Sequence, residues 1–582
     1  MVETDDLFSS STRALLEVAG VTDVRRHREK VDERIVELEC EIWEMKSSHN
    51  ALTTTYRLPS EILSSIFLSL SLMDSTDLDQ PIYRRVSWLR ATFVCRRWRF
   101  VALGYAALWT TPPLDEPELA KIMISRSQGA PLSIHYGAPE LWRRGSQFPI
   151  LYKVLSKLDR LRSVKLEAVR YYEDLDFLSL LSHWTDATLP VLETLHLSHS
   201  SEHHNSPLPV RFLQGGAPQL RHLTLLHCGN TWDQAPLFPS ITHLSLEGPR
   251  KAPSESNNSR PPTVAKLVDS LRHLPHLQHL DLAYCLPLAT TAPHIAPARL
   301  AALRSLNLSD TAATLESFFR VVQLPKIARM GFCITECWAL DRMTLKGMFD
   351  TIKASIAIEG GDVSCSILGE AQQLHIQDKK SNVASGTSTS FDFWFRDIVG
   401  LPDLTFAFDT VWRETRNIAP AIFDSFKVAA MLSLKLGYLS VAREDVDFEE
   451  LFAYMPKVEV ITVRHVAIFE DLLKTLKGES SSTSVLNAPF TSNPKEIIHS
   501  PARCLVPALS TFSCESLQFH WESEEKYGRD LLIDVMKDSL QAHPTMKLTI
   551  DDCADFNEYD YKAIREGVPG LDFRWDGRVF RW

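Results

Sequence analysis

The apolar positions of this 582-residue chain fall into three successive patterns. From Val31 to Leu52 the residues Val31, Ile35, Leu38, Ile42, Met45, His49 and Leu52 recur at alternating steps of four and three, which places them on one seam of a helix. Only His49 interrupts the apolar character. Such a seam serves either as a short coiled coil, through which two copies of the chain could pair weakly, or as an amphipathic face packed on the next domain. A second helix is predicted from Leu58-Pro59-Ser60-Glu61, because proline suits a first helical turn and the helix dipole favours an acid there. Its stripe of Ile62, Leu63, Ile66, Phe67 and Leu70 is too wide for one short neighbour to cover. An acidic, polar connection over 71–87 leads to a further predicted helix, Trp88 to Leu103, with Val94, Trp98 and Val101 on one face.

Beyond residue 150 the period changes to apolar, two others, apolar, one other, apolar. It occurs as Leu161-Val164-Leu166, Leu192-Leu195-Leu197, Leu220-Leu223-Leu225, Ile241-Leu244-Leu246, Leu277-Leu280-Leu282, Leu303-Leu306-Leu308 and Ile327-Met330-Phe332. First positions lie 21 to 36 residues apart, which brackets the period of leucine-rich repeats. Helical periodicity in Pro262–Leu274 and Leu315–Val322 fits a β-α solenoid, and Cys228 and Cys285 fall at the repeat's Asn/Cys position as structural thiols. The spacing persists weakly at Val458-Ile461-Val463 and Leu509-Phe512-Cys514, then at a strand around Met546–Ile550 after a helix from Asp530 to Gln541. Polar stretches near 250–262, 378–390 and 478–494 read as insertions or long loops.

Composition narrows the function. An apolar fraction of 45% and a charged fraction of 23% describe a folded globular chain, and the net charge of −11 gives no electrostatic reason to seek nucleic acid or an anionic membrane. Glycine is scarce, 22 residues in all, and none of the phosphate-loop, nucleophile-elbow, zinc-protease or EF-hand motifs occurs. The ten cysteines contain no CxxC pair, the N-terminus is acidic and no apolar run approaches a membrane span, so a reducing interior, cytoplasmic or nuclear, is expected. No enzyme activity and no cofactor is implied.

Leu-Pro-x-Glu-Ile-Leu-x-x-Ile-Phe from Leu58, Val-Cys-Arg-Arg-Trp-Arg from Val94 and Ala107-Leu108-Trp109 together resemble the F-box, in particular the F-box-like proteins of mushroom-forming (agaricomycete) fungi. The preceding helix and Arg126-Ser127 through Pro131-Leu132-Ser133-Ile134 are similar to that group as well. The stretch 71–87 is longer than is usual there. The resemblance implies a three-helix unit that inserts into a Skp-type adaptor and so ties the chain to a cullin-based ubiquitin ligase. Position by position it implies Leu58, Pro59, Ile62, Leu63, Ile66, Val94, Cys95 and Trp98 as adaptor-facing or supporting residues. Ile66 and Trp98 serve equally well as the module's own core.

Taken together, these patterns predict an α/β chain: a flexible N-terminus (1–20), an amphipathic helix (21–54), an F-box-like helical domain (55–111), a linker helix and strand (112–150), and an irregular leucine-rich-repeat-like β-α solenoid (151–582). Strand alternation would expose Thr194, His196, His222, Thr224, His243, Ser245, His279, Asp281, Ser305 and Asn307 on a concave face, where a target protein would bind. His222, His243 and His279 share one position in successive repeats. They make a polar recognition stripe or, less readily, a metal site; His273-x-x-His276-x-x-His279 straddles a helix end and need not converge. The expected function is a substrate-recognition subunit of a Skp-cullin-F-box ubiquitin ligase, the alternative a leucine-rich-repeat interaction scaffold outside that system.

Overall fold

The structure, a computed structural model, describes residues 8–73, 82–137, 148–167, 181–198, 208–209, 211–228, 232, 235–248, 263–287, 295–325, 329–335, 341–356, 369–380, 387–395, 401–408, 415–437, 448–477, 505–519 and 527–577. The polar stretches at 250–262 and 478–494 lie outside these residues. Two compact units divide the chain, Met1–Val169 and Arg170–Trp582. The strand at Leu161–Glu167, expected to open the repeats, therefore belongs to the first unit.

The first unit is mostly helical. Helix α1 (Ser10–Leu16), capped by the Ser9 hydroxyl, stands in the segment expected to be flexible. Helix α2 (Val24–Ala51) is the predicted seam helix, started by the Asp23 carboxylate accepting from Arg26 N–H, and none of its residues is buried. Then follow α3 (Ser60–Met73), α4 (Ile82–Arg85), a 3₁₀ turn (Ser87–Phe93), α5 (Arg96–Gly104) and α6 (Pro117–Arg126). The single helix expected over Trp88–Leu103 is broken at Val94–Cys95. Cys95 is extended and caps α5, its Sγ accepting the Trp98 N–H at 3.5 Å, so Val94 lies outside the helix and does not share the face of Trp98 and Val101. Strand β1 (Leu132–Tyr136) pairs in parallel with β2 (Leu161–Glu167), with α7 (Phe148–Leu155) between them in sequence.

The second unit is strand-rich. Its main sheet runs β3 (Thr194–Ser198), β4 (His222–Leu226), β5 (His243–Glu247), β6 (His279–Ala283), β8 (Ser305–Thr311), β10 (Arg329–Thr335), β13 (Leu404–Phe408), β12 (Thr387–Trp394), β11 (Gln373–Lys380), β14 (Ser433–Leu436), β15 (Val460–Val463), β16 (Thr511–Glu515), β17 (Lys547–Asp551) and β18 (Asp572–Trp575). The two-residue strands β7 (Ala298–Arg299) and β9 (Val322–Gln323) form a separate ladder. Neighbours in the main sheet are parallel except where β12 pairs with β11 and with β13. The polar stretch read as a loop at 378–390 is thus strand at both ends, Asp378 facing Thr389 in a hairpin. Polar composition had suggested a loop, yet Ser388, Thr389 and Ser390 are buried, with the Thr389 hydroxyl on the Asp378 carboxylate at 3.0 Å and the Ser390 hydroxyl on the Gln377 carbonyl at 3.1 Å.

One buried column crosses the sheet in register, Leu195, Leu223, Leu244, Leu280, Leu306, Met330, Leu404, Phe393, Leu374, Leu434, Ile461, Phe512 and Leu548, and ends at the half-buried Phe573. Period-2 alternation leaves the other face polar on β3 to β6. Helices Val264–Arg272, Ala312–Val321, Arg342–Ala354, Thr415–Ser425, Phe448–Tyr454, Val466–Lys477, Tyr527–Ala542 and Glu558–Gly567 intervene, successive ones packing on each other. The turn closing several strands repeats one conformation, with His227, Tyr284, Ser516 and Asp552 at φ between 52° and 57°. The buried residue after three of these, Cys228, Cys285 or Cys553, donates its S–H to a carbonyl of the preceding strand: Leu197, Leu246 or Cys514, each at 3.5 Å. Burial pushes the Cys285 and Cys553 thiols up, Cys553 to about 11, so they are packing groups and not nucleophiles.

Candidate functional site

The helical module between Leu58 and Trp109 closes its own core with Leu63, Phe67, Trp88, Ala91, Val101, Ala102, Leu108 and Trp109, joined by Met123. The wide stripe of α3 divides between two fates. Leu63 and Phe67 are completely buried, the Phe67 ring 5.2 Å from that of Trp98, while Ile62, Ile66 and Leu70, one helical turn apart, stay 48%, 41% and 41% exposed. Trp109 donates its indole N–H to the Ala102 carbonyl at 2.9 Å and meets Trp88 edge-on at 5.1 Å, locking the C-terminal turn to α5. Arg97 binds the Tyr56 and Leu58 carbonyls and lies over the Tyr56 ring at 4.7 Å, fixing how the chain enters α3.

The expected adaptor residues therefore separate. Pro59, Ile62, Ile66 and Val94 are exposed, Leu58, Cys95 and Trp98 are half-buried, and Leu63 is wholly inside. Leu63 supports the module and cannot meet a partner, because its position one turn before Phe67 puts it on the core face. Leu58 and Trp98 pack against the same core. Sequence reasoning assigned no role to Arg97, although it stands within the quoted motif, nor to exposed Phe93 and Phe100, which lie outside the apolar face. A compact unit with a complete core and a separate row of exposed isoleucines and leucine has the surface of a docking module.

A family model described as F-box-like matches residues 55–114. Residues 55–114 are an F-box-like domain. No curated protein matches the chain. Among solved structures it is similar to the crystal structure of the Rad7 and Elc1 complex in yeast, with 14% identity, 76% of this chain and 94% of that chain covered, and a TM-score of 0.29, a likeness too distant to fix fold or function.

In the second unit all ten expected target-facing residues lie on the polar face, in two neighbouring rows. One row is Thr194, His222, His243, His279 and Ser305; the other is His196, Thr224, Ser245, Asp281 and Asn307. His196 is thus paired with Thr224 and stands outside the histidine column. The His243 and His279 rings stack at a centroid spacing of 4.2 Å, and the His222 ring lies 4.3 Å from that of His243, tilted by 39°. Burial, then the neighbouring His222 and His279, push His243 down to about 4, and burial followed by Arg304 and His222 lowers His279, so these two are neutral at physiological pH. Among the described residues no group of three or more His, Cys, Asp or Glu side chains is placed to hold a metal ion. Asp281 keeps its side chain exposed, yet crowding by the sheet and the Glu247 charge push it up to about 6 against the lowering bond from Ser245.

The second row continues through Gly331, Thr405, Asp392, His375 and Lys435. A Cβ on Gly331 would stand 2.6 Å from the Asn307 amide oxygen, so the glycine leaves room for that side chain. At the antiparallel hairpin the face closes: Asp392 is buried, taking the Thr405 hydroxyl at 2.8 Å, and His375 is buried beside it. Farther along, Lys435 (2.9 Å) and Arg464 (2.7 Å) converge on Glu515. Burial alone would raise that carboxyl, but the two cationic hydrogen bonds outweigh it and hold Glu515 below the usual range. No described helix is long and apolar enough to cross a membrane.

Proposed function

We propose that the chain is a substrate-recognition subunit of a Skp-cullin-F-box ubiquitin ligase. The F-box-like domain would hold the Skp-type adaptor through Pro59, Ile62, Ile66 and Val94, with Leu58, Leu63, Cys95 and Trp98 shaping that surface from within. The second unit, read as an irregular leucine-rich-repeat-like solenoid, would hold a target protein on the two polar rows. The exposed Ile62-Ile66-Leu70 row on a module whose core is already complete carries the reading, since a contiguous apolar row of this kind suits the surface of a partner chain. The mechanism is proximity: the receptor performs no covalent chemistry and raises the effective concentration of a target lysine near charged ubiquitin.

Co-purification of the full chain with the Skp-type adaptor and cullin of its own organism tests this. Stoichiometric capture, lost on Ile62→Glu/Ile66→Glu with circular dichroism unchanged, is the expected result. A folded wild-type chain that captures no adaptor overturns the reading.

A further inference from the structure

The face of α2 that carries the heptad seam is uncovered along most of its length. Ile35 is 48% exposed, Ile42 49%, Met45 74% and Leu52 78%, and no residue of the helix is buried. In heptad terms Ile35 and Ile42 hold the a positions and Val31, Leu38, Met45 and Leu52 the d positions; β-branched a residues with Leu38, Met45 and Leu52 at d favour two strands, Val31 alone departing from that pattern. His49 occupies a third a position, a polar residue of the kind that fixes register at some cost in affinity.

The flanks of the seam identify the partner. In a parallel, in-register pair each g residue meets the e residue five positions on in the other chain, and here that brings His27 to Asp32, Arg34 to Glu39 and Glu41 to Lys46. Two of the three, Arg34 with Glu39 and Glu41 with Lys46, are of opposite sign. An antiparallel pair would instead set Asp32 against Glu39 and Arg25 against Lys46, like charges in both cases, with only Arg34 against Glu41 to offset them. We infer that α2 pairs with α2 of a second copy of this chain as a parallel, in-register two-stranded coiled coil centred on Ile35, Leu38, Ile42 and Met45.

Helix α1 lies along the g edge of the first half of the seam, where the Leu15 carbonyl meets His27 Nε2 at 3.1 Å and Ser9 and Thr12 bind Arg34 at 3.1 and 3.2 Å. The Glu41–Lys46 encounter lies past α1 and is the pair to perturb. With three heptads the dimer is weak and concentration-dependent. Sedimentation velocity of the full chain over a concentration series should show reversible dimerisation. Glu41→Lys and Lys46→Glu, each placing like charges together twice per dimer, should raise the dissociation constant about tenfold. An equimolar mixture of those two variants restores both attractions and should recover wild-type affinity as a heterodimer. Ile42→Asp, at an exposed position, should be monomeric with unchanged circular dichroism. A wild-type chain that stays monomeric up to the order of 100 µM, or a mixture no tighter than its parents, overturns the proposal.

Discussion

Replacing Ile62 and Ile66 together by alanine separates the surface of the F-box-like domain from its core. Full burial of an isoleucine side chain contributes roughly 1.5–3 kcal/mol. With 48% and 41% of the two residues still exposed, burial against an adaptor adds about 1 kcal/mol for each, or about 2 kcal/mol for the pair. That corresponds to roughly a 30-fold rise in the dissociation constant. The loss to folding is below about 1 kcal/mol at each site, because the core that holds α3 is made by other residues. Phe67→Ala is the contrasting case: the ring is completely buried against Trp98, and its removal costs about 3–5 kcal/mol, enough to unfold a module this small. The assay is calorimetric titration of the full chain with its Skp-type adaptor, beside thermal melts of both variants. A folded double variant that binds with wild-type affinity, or one that unfolds as Phe67→Ala does, would refute the division of the α3 stripe drawn here.

Arg97→Ala strands the Tyr56 and Leu58 carbonyls and should destabilise the F-box-like domain by about 1–3 kcal/mol, visible as a lower melting temperature that Arg97→Lys does not restore, since lysine lacks the fork that reaches two carbonyls. Asp281 is held above its ordinary value of 3.8, at about 6, so its contribution to stability declines as pH rises through that window; Asp281→Asn should raise the melting temperature at pH 8 and leave it unchanged at pH 4. His243, held at about 4 against an ordinary 6.5, takes up its proton more readily in the unfolded chain, so stability is full above pH 6.5 and falls as pH drops toward 4. Histidine side-chain NMR should show His243 titrating near 4, and a midpoint near 6.5 would contradict the stacked geometry.

Where a periodic pattern met a regular element, the reading from sequence needed little correction. The helix expected from Asp530 to Gln541 is Tyr527–Ala542, and the spacings at Val458, Leu509 and Met546 mark β15, β16 and β17. The ten polar-face residues follow from alternation alone, because a strand's side chains have period two and the leucines fix which set is inward. The β11–β12–β13 excursion was illegible for the opposite reason: its polar face is buried, so Ser388, Ser390 and Asp392 gave the signature of a loop, while inside the fold Ser390 donates to the Gln377 carbonyl and Asp392 accepts from Thr405. Strand β14 does carry the spacing, as the buried Met431-Leu434-Leu436, whereas in β18 Gly570 stands where the first apolar residue would be. Cys553 stands at the same turn as Cys228 and Cys285, but the leucines that would have marked its repeat are replaced by Met546 and Ile550.

The sequence by itself determined the α2 and α3 helices, the strands of the regular repeats and which of their faces is apolar, and that residues 58–109 carry the motif of a docking module, because each rests on local periodicity or a short contiguous pattern. It also set the opposite charges that flank the α2 seam. Tertiary structure alone decided which half of the α3 stripe is core and which is surface, and where the helix after Trp88 breaks. Those outcomes depend on contacts between residues distant in the chain: Phe67 against Trp98 and Arg97 against the carbonyls before α3. Periodicity fixes the direction of a side chain relative to its own element, and only packing fixes what it meets.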